Sequence, residues 1–223
     1  MTDTLPTGAT RTERSSPPLG VWAPAGAAAP VLSFVGVHVL HPPGAPERMS
    51  DAEVAVWITP AAKEIAAGGS LGILACFLLL VFAQGWSAQL GTWGAPMWGR
   101  RLAEASISVT AAALGIGALL QVIAGLSALP SETIGQPSLP ATLLNLYGGL
   151  AVTAWVLLLP AVLVGASASR RRSRSAFAAC AVAGMALALG VVLPPVSWAP
   201  AGAWIVAVSL GCLVTTAQRR TAS

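Results

Sequence analysis

Gly68-Gly69-Ser70-Leu71-Gly72 contains the pattern G-x-S-x-G. A serine in that pattern becomes a nucleophile when a strand-to-helix turn exposes it beside a histidine and an acid. The chain has two histidines, His38 and His41, and both precede Ser70. Ser70 lies instead in a long apolar run, where Gly68 and Gly72 share one helix face. The pattern therefore reads as a helix-contact surface, and no catalytic residue is assigned. His38 and His41 are three residues apart and could share a face, which makes them weak candidates for a metal. A haem held across two helices needs histidines on both, and the apolar runs after His41 contain none. No cofactor is expected.

The other reactive types are just as isolated. Cys76, Cys180 and Cys212 each stand alone inside an apolar run, with no C-x-x-C pair. They read as small buried residues. Glu64, Glu104 and Glu132 fall at the ends of apolar segments or in a turn. Lys63 is the only lysine, also at a segment start. Pathways for ions and protons need ionisable groups inside the bilayer. Their absence argues against a proton pump, a coupled secondary transporter and a retinal protein. Neither a phosphate-binding glycine loop nor an internal repeat is present, so an inverted-repeat transporter is not indicated.

The elements that hold these residues are set by charge. Arg170, Arg171, Arg172 and Arg174 form the densest cluster in the chain. No charged residue occurs from Thr133 to Ser169 or from Ser175 to Gln218. Of the 223 residues 55% are hydrophobic and 9% charged. A soluble domain carries roughly 25% charged residues, so this chain could not cover a water-facing surface. The fold class expected is all-α: a polytopic integral membrane helix bundle with five spans. The bundle covers 65–218, with spans at about 65–84, 105–129, 141–168, 176–193 and 201–217. Pro160 should kink the third. Residues 1–20 read as a disordered tail and 219–223 as a cytoplasmic tail. Within 21–64, Ser50 to Glu53 is a capping box that predicts a short interfacial helix over 51–58. Thr59-Pro60 looks like a second helix start. Segment 21–40 reads either as a sixth span or as an interfacial or re-entrant segment, because prolines and glycines interrupt it. The Gly-rich stretch 85–101 holds Trp86, Trp93 and Trp98 and reads as a loop at the membrane surface.

Threading follows from the arginines. If Arg170 to Arg174 are cytoplasmic, successive crossings place Arg100, Arg101, Arg219 and Arg220 on that side too. The expected location is the plasma membrane, multi-pass, with a cytoplasmic C-terminus. Arg- and Ala-rich, Lys-poor usage suggests a GC-rich bacterial gene. The basic excess suits lipid headgroups. No nucleic-acid partner is expected, since no basic face carries interleaved aromatics.

What remains is packing. Small and polar residues recur every three or four positions on several spans, a pattern that lets backbones approach. Ser106, Thr110, Gly117 and Gln121 form such a line in the second span. Asn145, Gly149 and Thr153 form one in the third. Ala203, Ala207, Gly211 and Thr215 form one in the fifth. Either helix packing or the lining of a pore would use them. Counting back from the 130–140 turn at about 1.5 Å per residue puts Gln121 level with Gly149. Asn145 or Thr153 is its expected partner. Two functions fit the missing chemistry. One is a non-catalytic subunit, scaffold or assembly factor among other membrane subunits. The other is a small permease or channel for a neutral or apolar solute.

Overall fold

The computed structural model describes residues 19–36, 40, 51–129, 138–170, 172–192 and 198–221. These residues form an all-helical bundle. The chain runs through α1 (Leu19–Phe34), α2 (Asp51–Ile58), α3 (Ala62–Thr92), α4 (Met97–Ser127), α5 (Ser138–Ala154), α6 (Leu159–Ser169), α7 (Arg174–Val192) and α8 (Trp198–Thr221). Three helical runs are long and apolar enough to cross a membrane: Val56–Thr92, Met97–Ser127 and Thr142–Ser169. Gly20–Phe34, Arg174–Leu189 and Trp198–Val214 are shorter apolar helices.

Helix α1 forms despite Pro24 and Pro30, each of which removes one helical N–H. Packing on two sides offsets that loss. Trp22, Ala23, Ala25 and Ala29 are buried against α3 and α8. Gly85 sits directly beneath the Trp22 ring, where no other residue would fit.

The neighbouring helices run antiparallel. Gly36 meets Gly68, and Trp22 meets Gly85, so α1 opposes α3. Gly26 faces Ser209 and Pro30 faces Gly202, so α1 opposes α8 as well. The tightest crossing is α3 with α4. A Cβ at Gly69 would stand 2.6 Å from Ala118 O, and one at Gly125 would stand 2.6 Å from both Ala62 O and Ala66 N. Glycine at these two positions is what lets the backbones touch.

The 85–101 stretch is not the expected surface loop. Helix α3 continues through Gly85 to Thr92, and only residues 93–96 turn the chain. No proline occurs from Ala61 to Ala95. Leu79, Phe82, Ala83, Trp86 and Leu90 repeat at helical spacing and are buried. Trp86 is the hub of an aromatic cluster. It stacks on Phe82 at 6.2 Å and meets Trp93 and Trp204 edge-on at 5.4 and 5.6 Å. Of the three tryptophans assigned to the surface, Trp98 is exposed, Trp93 half-buried and Trp86 buried.

Residues 155–158 tighten into a 3-10 turn just before Pro160. Leu159 N–H bonds to Val156 O, the carbonyl that the missing Pro160 N–H would have served. Thr59-Pro60 is likewise a tightened 3-10 turn inside a continuous helical run, not a fresh start.

Candidate functional site

The polar line on α4 faces inward. Ser106, Thr110, Gly117 and Gln121 are all buried. Thr110 Oγ1 donates to Ser106 O at 2.9 Å, and Ser106 Oγ donates to Leu157 O in the 3-10 turn. Gly117 packs against Tyr147 and Leu150 of α5.

Gln121 does not pair with α5 as expected. Its Nε2 donates to Gly36 O at 3.3 Å, at the end of α1. The reason lies in which side of α5 turns inward. Residues two apart on a helix differ by about 200° in direction. Tyr147 and Trp155 take the inner face, because burying an aromatic ring removes about 150–250 Å² of apolar surface from water. Asn145, Gly149 and Thr153 are therefore turned outward and exposed. Thr153 Oγ1 serves its own helix, bonding Gly149 O at 2.7 Å. On α8 the same contest goes to Trp204 and Ile205, which are buried, while Ala203, Ala207 and Gly211 face out.

Beside Gln121 lies a cavity of about 460 Å³. Helices α1, α3, α4, α5 and α8 all line it, with Trp155 of the 3-10 turn. Its wall is apolar and aromatic, from Phe34, Leu79, Leu114, Tyr147, Trp155 and Trp198. Gln121 and Ser33 supply polar groups, and among the described residues no charged side chain lines it. Such a space can hold a neutral molecule by apolar contact and a hydrogen bond.

Among the described residues no catalytic constellation accompanies the cavity. Ser70 is exposed and bonds its own helix at Ala66 O, 2.9 Å away. Among the described residues no three of His, Cys, Asp and Glu gather to hold a metal. His38 and His41 lie outside the described residues. The three cysteines are buried and unpaired by disulfides, and Cys180 Sγ accepts the Trp204 indole N–H at 3.3 Å. Of the topology arginines, Arg101, Arg170, Arg172 and Arg174 are exposed; Arg171 lies outside the described residues. Arg100 is half-buried, with its Nε donating to Ser87 O at 3.1 Å near the end of α3.

Sequence reasoning missed Tyr147, Trp155, Trp198 and the Gly36–Gly68 contact. The spacing 147, 151, 155 does mark one helix face. The Gly36 contact joins segments too distant in sequence for any local pattern to show it. No protein-family model, curated protein or solved structure matches this chain.

Proposed function

We propose that the protein is an integral membrane protein with six crossings that serves as a non-catalytic subunit, scaffold or assembly factor of a larger membrane complex. The observation that carries this reading is the pair of outward stripes, Asn145-Gly149-Thr153 on α5 and Ala203-Ala207-Gly211 on α8. In hydrocarbon, small-residue faces are the surfaces on which helices associate. Their residues are exposed on the described surface. A Cβ at Gly149 or Gly211 would meet nothing within 4 Å.

The membrane reading is supported by the outer surface, where Phe77, Leu80, Ile116, Leu163 and Met185 are exposed. Six crossings are favoured by α1, which lies antiparallel to both α3 and α8. That threading puts the basic residues from Arg100 onward in the cytoplasm of a bacterial cell, with the C-terminus. High activity of a periplasm-dependent reporter fused at Ser223 would refute it.

The test of the subunit reading uses Gly149→Leu and Gly211→Leu on a tagged chain purified in mild detergent. Partners that co-purify with the wild type should be lost from at least one variant, while the melting temperature of the isolated chain stays unchanged. Retention of every partner by both variants would sink the reading. The cavity favours a second reading, a small permease for a neutral or apolar solute. It requires that the lone chain, reconstituted in vesicles, moves such a solute.

A further inference from the structure

The cavity beside Gln121 lies in the half of the bundle where α1 ends and α8 begins. Five helices close it through four successive contacts: α8 packs on α1, α1 on α3, α3 on α4, and α4 on α5. Among the described residues the ring is incomplete, because α5 and α8 both line the cavity yet scarcely touch each other. The 3-10 turn, through Trp155, joins α8 lower down and floors the gap. Ala199 and Ala203 of α8 line the cavity and are also exposed. The opening is therefore sideways, through the wall of the bundle.

Gln121 fixes the polarity of the interior. Its side chain is 1% exposed. Its amide nitrogen must face the Gly36 carbonyl, which cannot accept from an oxygen. Among the described residues no donor reaches Oε1. Gln121 lines the cavity, so a ligand there that donates a hydrogen bond to Oε1 gains a partner that apolar contact alone does not give. The volume of about 460 Å³ lies within the usual range of small-molecule pockets, roughly 300–1,000 Å³.

We propose that this cavity binds a neutral amphiphile of the bilayer, a molecule with an apolar chain or ring system and a hydroxyl group. It enters sideways between α5 and α8 and donates its hydroxyl proton to Gln121 Oε1. The aromatic rings of Phe34, Tyr147, Trp155 and Trp198 hold its apolar body. The described wall carries no charge, which disfavours phospholipid headgroups in the interior. The proposal rests on the membrane reading above and is independent of which partners the outer stripes bind.

The test uses the full chain reconstituted in phosphatidylcholine vesicles with a diazirine-bearing analogue of dodecanol, followed by irradiation and peptide mapping. Labels should concentrate on Tyr147, Ala151 and Trp155 and on Trp198 to Ala203. Dodecanol should compete about three- to tenfold better than dodecane, the ratio expected of one net hydrogen bond. Gln121→Leu should abolish that preference. Ala203→Phe, at an exposed lining position, should remove the cavity labelling, whereas Ala207→Phe, one turn further along the exposed face, should not. Loss of the chain from vesicles in an alkaline wash overturns the membrane reading and, with it, entry from the bilayer. Retention with labels spread over outward residues such as Leu80 and Leu163, unchanged by Ala203→Phe, overturns the cavity site alone. Equal competition by dodecane overturns the role of the hydroxyl. Equal labelling of the same residues by a short, water-soluble diazirine alcohol overturns entry from the bilayer.

Discussion

Gly125→Ala measures the α3–α4 crossing directly. The added methyl would fall 2.6 Å from Ala62 O and Ala66 N and 2.9 Å from the Ala66 Cβ. Two of these three atoms belong to the α3 backbone, which cannot rotate away as a side-chain tip can. The helices must separate, and overpacking of this kind costs about 1–3 kcal/mol. Two backbone clashes place it at the upper end. Replacing glycine by alanine inside a helix returns up to about 1 kcal/mol of propensity. The expected net loss is about 2 kcal/mol, and at 2–4 °C per kcal/mol for a chain of this size the melting temperature should fall by about 4–8 °C. The control is Gly149→Ala, where the methyl meets nothing within 4 Å. There only the propensity gain remains, so the change should be zero or a small rise. Both can be read from thermal unfolding in one detergent by circular dichroism. If Gly125→Ala stabilises the chain as much as Gly149→Ala, the close approach of α3 and α4 is wrong, and with it the placement of Gln121.

The Gln121 bond should be modest. Gln121→Leu is expected to cost about 0.6 kcal/mol, the average for hydrogen bonds between membrane helices, while Asn145→Leu leaves the melting temperature of the isolated chain unchanged; the reverse ranking would restore a Gln121–α5 contact. Trp86→Ala should cost about 3–5 kcal/mol as a buried aromatic truncation, whereas Trp98→Ala, at 68% exposure, should cost less than about 0.5 kcal/mol. Equal effects in the isolated chain would mean that Trp86 is not in the core. Cys76, Cys180 and Cys212 are each at most 8% exposed, so an impermeant maleimide should label none of them until the protein is denatured. Prompt labelling of the folded chain would contradict their burial.

The helices were legible in the sequence because charge-free runs, prolines and arginines mark them locally. Arg170 to Arg174 separate α6 from α7, and the Pro160 interruption was visible as a kink. Which face of each helix turns inward was harder. On α4 the small-residue line does face in, since Gly117 and Gln121 compete with no aromatic on that helix beyond Trp98 at its start. On α5 and α8 the same kind of line lost to Tyr147, Trp155 and Trp204. Small residues permit contact, but large rings gain more by burial. The Trp86 error had a related cause. Gly85 and Gly91 resemble loop residues when read alone, yet Gly85 is a glycine because Trp22, more than sixty residues earlier, lies against it. The cavity was not legible, because it is lined by five helices whose neighbours are fixed only by the whole arrangement.

The two 31-residue helices, α3 and α4, have a consequence for thickness. At about 1.5 Å per residue each is about 46 Å long. The 19 residues of α7 reach only about 28 Å, close to a hydrocarbon core of about 30 Å. To hide the long pair within that core by leaning alone would take an inclination near 50°, beyond the range of about 0–40° that membrane helices adopt. Helix α7, antiparallel to α6 through the contact of Gly184 with Val162, would resist so steep a lean. On the membrane reading proposed above, hydrophobic mismatch would therefore be relieved by protrusion. The turn at residues 93–96, with Trp98 and Arg101 beside it, would then stand clear of the hydrocarbon at the tip of the long helix pair, and its reach into the water would depend on the thickness of the surrounding bilayer.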